Sequence, residues 1–161
     1  MRLCINQKVF SWTDKFTVKD TYGEERYFVE GEFFSWGKKL HVYDTAGSEV
    51  AFISQRLLTF LPKYDVYVNG RHLCQIVKEF TFFKPRYTIY GLDWTVDGDF
   101  WNHDYTISEH QKQIASIHKE WFSWGDCYVA DIHNDINEIM ALAVVLTIDC
   151  VLATQNSQRG N

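Results

Sequence analysis

Apolar and polar residues alternate over short runs along most of the chain. Leu40 and Val42 are apolar, whereas the residues around them, Lys39, His41 and Tyr43, carry polar groups. Successive side chains of a strand point to opposite faces, so this two-residue period indicates a strand with one buried and one polar face. The same alternation recurs elsewhere: Phe16 and Val18 among Lys15, Thr17 and Lys19, and Val66 and Val68 beside Asp65 and Tyr67.

Turn signals separate these runs. The sequence contains DTYG from Asp20, DTAG from Asp44, Asn-Gly at residues 69–70 and Asp-Gly at residues 97–98. Asn-Gly and Asp-Gly suit the positive φ angles of tight hairpins. We therefore expect roughly ten to twelve short antiparallel strands.

A short aromatic motif recurs along the chain and indicates an internal repeat. It reads FSWTDKFTV from Phe10, FSWGKKLHV from Phe34, FSWGDCYVA from Phe122 and, more loosely, WNHDYTI from Trp101. The first two tryptophans are 24 residues apart, the last two are 23 apart, and the pairs are separated by 88 to 89 residues. We predict a single domain over residues 1–161 with two related halves, about 6–90 and 95–155. Independent aromatic turns of similar sequence are the alternative.

Near its end the chain has a long apolar stretch, with no charged residue from Ile139 to Ile148. Its length, its alanines and a capping signal, Asp135 as N-cap with Glu138 three residues later, favour a helix. Its β-branched residues leave a pair of strands as the alternative. Residues 139–153 would rise about 22 Å as a helix, less than the hydrocarbon core of a membrane. Asp149 would add about 2.5 to 3.5 kcal/mol near the bilayer centre, so we predict no transmembrane segment.

A helix that is apolar on every side must be covered on every side. One sheet covers a single side, whereas a closed barrel covers the whole circumference and also removes exposed strand edges. The sequence therefore predicts a mainly β fold. This fold is a closed antiparallel barrel of about twelve strands wrapped around a central hydrophobic C-terminal helix. The tryptophans could line a ligand site, but their repetition favours a role as barrel corners.

Composition limits the possible functions. The formal net charge of -5 argues against a general nucleic-acid binder, which needs a basic face. The first residues lack the apolar run of a secretion signal, so we predict a cytoplasmic protein. The four cysteines, at positions 4, 74, 127 and 150, are then expected to remain thiols.

Several segments resemble a known family. VEGEFFSWGKKLHVYD, IVKEFTFFKPRYTIYG, GDFWNHDYTI, IASIHKEWFSWGDCYVADI and the closing helix are similar to the LURP-one-related family. The resemblance is closest to its small bacterial YxjI-like members, within the Tubby C-terminal-like superfamily, and it covers nearly the whole chain. It implies a barrel of about a dozen strands around a C-terminal helix. Tubby domains bind phosphoinositides through basic residues, but that basic site does not align with this chain residue by residue, and the bacterial members lack an assigned activity.

No familiar catalytic motif occurs in the sequence, neither GxSxG, HExxH, a P-loop nor GxGxxG. The most suggestive group is GDFWNHDY, where Asp99, His103 and Asp104 could act as metal ligands or as an acid and base. Polar residues are also expected in a hairpin region, so we favour the structural interpretation and predict no enzyme, no cofactor and no metal. A small enzyme or ligand carrier with a site at the barrel mouth is the alternative.

Two pairs of cations lie beside predicted turns. FFKPRY places Lys84 and Arg86 around a proline next to aromatic residues, and WGKK adds Lys38 and Lys39. Such groups could bind a lipid head group, a phosphate or a carboxylate. The leading hypothesis is a non-catalytic binding or scaffold protein, peripheral at the membrane. Its partner would be anionic membrane lipid head groups or another protein.

Overall fold

The computed structural model describes residues 1–6, 15–34, 37–123, 125–133 and 136–159, without the side chains of residues 33, 34, 126 and 153–159. The strands in chain order are β1 (Arg2–Asn6), β2 (Lys15–Asp20), β3 (Glu25–Phe34), β4 (Gly37–Asp44), β5 (Glu49–Arg56), β6 (Lys63–Val68), β7 (Arg71–Glu79), β8 (Arg86–Tyr90), β9 (Trp94–Asp99), β10 (Asp104–Glu109), β11 (Lys112–Phe122) and β12 (Gly125–Ile132). A 3-10 helix (Phe100–Asn102) joins β9 to β10, and the long helix α1 (Glu138–Arg159) follows β12.

The strands form one 12-stranded sheet in the order β8-β7-β6-β5-β4-β3-β2-β1-β12-β11-β10-β9. Every ladder is antiparallel, including the one that joins β1 to β12. The two edges of the sheet, β8 and β9, follow each other in the chain and lie side by side, but no ladder joins them within the described residues. The sheet is therefore a nearly closed barrel, and the prediction of about twelve strands is confirmed.

Helix α1 is the core of this barrel. Leu142, Val145 and Ile148 are completely buried although they face different directions around the helix. They pack against inward-facing strand residues such as Leu40 and Ile107. Apolar burial from every strand around the helix is what stabilises it, because a helix without a polar face has no favourable contact with water. The predicted central helix is confirmed.

The antiparallel meander gives the barrel two distinct ends. At the "aromatic end" lie the described connections that follow odd-numbered strands: residues 57–62, 80–85 and 100–103. At the "turn end" lie those that follow even-numbered strands: residues 21–24, 45–48, 69–70, 91–93 and 110–111. Since α1 follows β12, it enters at the turn end and runs toward the aromatic end.

Most of the predicted turns are confirmed at the turn end. Asp20 Oδ1 accepts hydrogen bonds from the amides of Tyr22 and Glu24, and Asp44 closes its turn in the same way. Asn69 and Gly70 have φ angles of 49° and 73°, as a tight hairpin requires.

The predicted Asp97–Gly98 turn is wrong, because both residues lie inside β9. A Cβ atom added to Gly98 would be 2.5 Å from the carbonyl oxygen of Asp104 and 2.6 Å from Cα of Tyr105. Position 98 therefore requires glycine because the neighbouring strand β10 passes too close to leave room for a side chain. Close approach of another backbone is a common reason for glycine within a strand.

The start of the helix also differs from the prediction. Asp135, the predicted N-cap, lies outside the described residues. The helix begins at Glu138, and Asn137 Oδ1 accepts hydrogen bonds from the amides of Ile139 and Met140. Asn137 is therefore the N-cap, two residues later than predicted, and Glu138 is the first helical residue.

The expectation that all four cysteines remain thiols is wrong. Cys4 on β1 and Cys127 on β12 form a disulfide with a Cα–Cα distance of 5.9 Å. The pairing of the first strand with the last brings together residues that are 123 positions apart, and sequence spacing alone could not show this proximity. Cys74 and Cys150 are free and buried, and burial raises the pKa of the Cys74 thiol to about 12.

The two hairpins that carry the aligned repeat have the same register. Phe34 pairs with Gly37 at the end of the β3–β4 hairpin, and Phe122 pairs with Gly125 at the end of the β11–β12 hairpin. Trp12, Trp36 and Trp124 lie outside the described residues. The division of the domain into two related halves therefore stays a prediction.

Candidate functional site

The aromatic end of the barrel exposes an unusual amount of apolar surface. Among the described residues, seven of the ten large exposed apolar side chains are at this end: Leu57, Leu58, Phe60, Phe80, Phe82, Phe83 and Trp121. The other three are Met1, Tyr22 and Tyr90. Phe82 and Phe83 are 98% and 95% exposed, so they contribute nothing to the core. A patch of this kind typically marks an interaction site.

Two neighbouring loops carry most of this patch. The β5–β6 connection holds Leu57, Leu58 and Phe60, and the β7–β8 connection holds the three remaining phenylalanines. The rings of Phe60 and Phe80 stack with their centroids 6.4 Å apart, which joins the two loops into one surface. A cavity of about 250 Å³ beside them is lined by Pro62, Phe80, Phe82, Phe83 and Trp101, among others.

Cations surround this apolar surface. At the aromatic end of the consecutive strands β4 to β8, the cations are Lys38, Lys39, Arg56, Lys63, Lys78, Lys84 and Arg86. We call these seven residues the "basic arc". The acids within the same arc are Glu79 and Asp65, and Asp65 is already bound to Arg56 at 2.7 Å. Sequence inspection missed Arg56, Lys63 and Lys78, because each lies on a different strand and only the sheet order places them side by side.

The predicted residues Lys38 and Lys39 lie on opposite faces of β4. Lys38 shares the inward face with Leu40, and burial lowers the pKa of its ammonium group. Lys39 lies on the outer face, opposite Glu32 on β3. The two residues therefore do not form a single cation pair, although both belong to the basic arc.

The other predicted pair, Lys84 and Arg86, lies four strands away, at the start of β8. Both are exposed and line a cavity of about 620 Å³ between β8 and β9, the two unpaired edges of the sheet. Asp97 and Phe100 line the same cavity from the β9 side. Of the four predicted head-group residues, the structure brings only these two together.

The predicted trio of Asp99, His103 and Asp104 separates in the structure. Asp99 caps the 3-10 helix through Asn102, and this hydrogen bonding lowers the pKa of its carboxyl group. Asp104 is exposed on β10. His103 has a φ of 50° and turns inward. No hydrogen bond or ion pair of the described residues joins His103 to either of these aspartates.

His103 instead meets a buried acid on the helix. Its Nδ1 lies 3.4 Å from Oδ1 of Asp149, and its ring stacks on Tyr128 at a centroid distance of 4.6 Å. The hydroxyl of Tyr105 donates to the same oxygen at 3.3 Å. Burial, and then the charge of Asp149, raise the pKa values of Tyr105 and Tyr128. Asp149 Oδ2 and the Tyr87 hydroxyl have no hydrogen-bond partner among the described residues. The sequence could have indicated this cluster through Asp149, because an acidic residue within an otherwise apolar helix needs polar partners.

Two features are absent from the part of the chain that is described. No group of three or more His, Cys, Asp or Glu side chains is arranged to hold a metal ion. No described helix combines the length and hydropathy needed to cross a bilayer.

Comparison with known proteins places the chain in a family context. The family model described as LURP-one-related matches residues 1–149. The uncharacterized protein YxjI of Bacillus subtilis (strain 168) is 35% identical over 152 residues, which cover 94% of each chain. The X-ray structure of the Arabidopsis thaliana protein AT5G01750 superposes with a TM-score of 0.66 at 16% identity. That superposition covers 93% of this chain and 90% of the plant protein, so the two share the Tubby-like fold.

Proposed function

The chain belongs to the LURP-one-related family, and we propose that it is a non-catalytic binding module that docks on a phospholipid membrane through its aromatic end. The non-catalytic role is part of the proposal, because the Bacillus relative is uncharacterized and its name assigns it no activity. The observation that carries the proposal is the combination of exposed phenylalanines and a basic arc at one end of the barrel.

The apolar loops have the composition of a membrane-anchoring surface. Phe60, Phe80, Phe82 and Phe83 project from connections rather than from strands, so they can enter a bilayer interface without unfolding the barrel. Aromatic side chains favour the level of the lipid head groups. Insertion of a phenylalanine contributes up to about 1.5 to 3 kcal/mol when burial is complete.

The distribution of charge favours an approach by this end. The net charge of -5 would oppose binding to an anionic surface if it were spread evenly. Acidic side chains are instead frequent at the turn end, on the opposite side of the molecule: Asp20, Glu24, Glu25, Asp44, Glu49, Asp93 and Glu109. Each cation of the basic arc that reaches an anionic membrane surface contributes about 1 kcal/mol.

Flotation of the full-length protein with vesicles that contain phosphatidylglycerol tests the proposal. The Phe82→Ser, Phe83→Ser double variant should lose about 2 to 3 kcal/mol of binding, roughly 30- to 150-fold in partition. Tyr22→Ser is the matched control, because Tyr22 is similarly exposed but lies at the turn end. It should float like the unmodified protein.

The same flotation assay also tests the contribution of charge to membrane binding. Replacing Lys84 and Arg86 by Glu should weaken flotation by about 2 kcal/mol or more, and added salt should weaken the unmodified protein in parallel. The control replaces Arg71 and Lys112, two cations of the turn end, by Glu. Failure of the unmodified protein to float at low salt would refute the proposal. A change of sedimentation coefficient in the Phe82→Ser, Phe83→Ser variant would instead assign the patch to contact between copies.

A further inference from the structure

The cavity between β8 and β9 has charges of opposite sign on its two walls. Lys84 and Arg86 stand on the β8 side, and Asp97 stands on the β9 side. Apolar rings of Phe82, Phe83 and Phe100 complete the lining. We call this cavity the "seam groove". Its volume of about 620 Å³ falls within the usual range of ligand pockets.

The charged groups on the two walls of the seam groove do not form ion pairs with one another within the described residues. Within the described residues, neither the Arg86 guanidinium nor the Asp97 carboxylate takes part in an ion pair or a side-chain hydrogen bond. Asp99, the nearby acid that feels the charge of Lys84, is already bound to Asn102. Two cations and one acid therefore face the same groove with their charged groups available to a ligand.

We propose that the seam groove binds the head group of an aminophospholipid, phosphatidylethanolamine, in the membrane on which the protein docks. This inference rests on the proposed function and specifies its lipid. The phosphate would be bound by Lys84 and Arg86, since guanidinium groups match phosphate oxygens with two parallel hydrogen bonds. The ammonium group would donate to Asp97, and the acyl chains would continue past Phe82 and Phe83 into the bilayer.

The same chemistry distinguishes related lipids. A choline head group has no N–H to donate, so it cannot hydrogen-bond to Asp97. Phosphatidylglycerol has no positive group and leaves Asp97 facing a negative lipid. The basic arc attracts any anionic surface, whereas the groove adds a preference that depends on a single carboxylate. An exposed pair of this kind is worth about three- to fivefold in affinity.

The test compares vesicles of phosphatidylcholine alone with vesicles in which half of the lipid is phosphatidylethanolamine or phosphatidylglycerol. The unmodified protein should bind the ethanolamine vesicles about three- to fivefold more tightly than phosphatidylcholine vesicles. Asp97→Asn should abolish this preference without weakening binding to phosphatidylglycerol. The control Asp93→Asn removes an exposed acid at the turn end and should retain the preference.

A solution measurement separates the head group from the bilayer. Soluble phosphoethanolamine should shift the amide resonances of Arg86 and Asp97 in the full-length protein, and inorganic phosphate should shift Arg86 alone. Equal binding of ethanolamine and choline vesicles, or an unchanged preference in Asp97→Asn, would overturn the inference while leaving membrane docking intact. If no vesicle binds but phosphoethanolamine still shifts both residues, membrane docking fails and the groove recognises a free amino phosphate.

Discussion

The two ends of the barrel are made from the same twelve strands but have opposite surfaces. At the turn end, connections of two to four residues are closed by Asp side chains and positive-φ residues, and acidic groups face the solvent. At the aromatic end, the connections at 57–62 and 80–85 are longer and present Leu58, Phe60 and Phe82 to solvent. A hairpin does not need such residues in order to close, because the turn end closes without them.

The two ends therefore differ in the role of their loop residues: some stabilise the fold, whereas others are not needed for it. Asp20 and Asp44 at the turn end bind backbone amides and therefore stabilise the connections themselves. Phe82 and Phe83 at the aromatic end are 98% and 95% exposed, so they bury almost no area and contribute little to the stability of the chain. They are the residues most readily explained by a partner, in keeping with the rule that loops on a rigid scaffold carry function.

The largest expected effect comes from the helix that connects the two ends. Leu142→Asp places a charge at a completely buried position within the hydrophobic core. The cost should exceed about 4 kcal/mol, comparable with the whole stability of many domains. We expect no folded protein by circular dichroism. Leu142→Met, which conserves volume, should cost less than about 1.5 kcal/mol. Cooperative melting of a soluble Leu142→Asp variant would contradict the central-helix architecture.

The fold could be predicted from the sequence because its main signals are local. The alternation at Phe16 and Val18 or at Leu40 and Val42 reports one strand at a time, and the wholly apolar helix then demands a surrounding sheet. The predictions for Gly98 and Cys4 were wrong for the same physical reason. The role of each depends on the strand beside it, which is a property of the pairing and not of the neighbouring sequence.

The candidate site was predictable only in part. Lys84 and Arg86 could be recognised because a proline and aromatic residues adjoin them in the chain. The rest of the basic arc, and Asp97 across the seam, become neighbours only when the sheet curls and its two edges meet. Likewise the sequence groups His103 with Asp99 and Asp104, but in the structure its partner is Asp149, 46 residues later on the helix.

Two glycines offer a second comparison of the ends. Gly98, near the aromatic end, has a φ of 138° and would bring a new Cβ within 2.6 Å of the backbone of β10. Gly70, at the turn end, has a φ of 73° but nothing within 4 Å of the added atom. Gly98→Ala combines a steric clash with backbone strain and should lower stability by about 3 kcal/mol or more. Gly70→Ala carries strain alone and should cost about 1 to 2 kcal/mol. Urea titration measures both, and equal losses would contradict the close approach of β9 and β10.

The smallest and most discriminating comparison concerns the acids near the two ends of the barrel core. Glu138, where the helix enters, accepts a hydrogen bond from the Tyr27 hydroxyl at 2.6 Å and lies 3.8 Å from Arg26. Its charge also meets the positive end of the helix dipole. Glu138→Gln should therefore lower the free energy of unfolding by about 1 kcal/mol.

Asp149, nearer the aromatic end, should respond with the opposite sign. Its carboxylate is completely buried, its contacts to Tyr105 and His103 are 3.3 and 3.4 Å long, and no Lys or Arg forms an ion pair with it among the described residues. Burying such a group opposes folding, so Asp149→Asn should leave stability unchanged or raise it by about 1 kcal/mol. Thermal melts of the two variants show directly whether each substitution lowers or raises the stability of the protein. Equal destabilisation by both would make Asp149 an ordinary structural acid. Opposite signs would mean that the aromatic end retains a charge at the expense of stability, as sites kept for function often do.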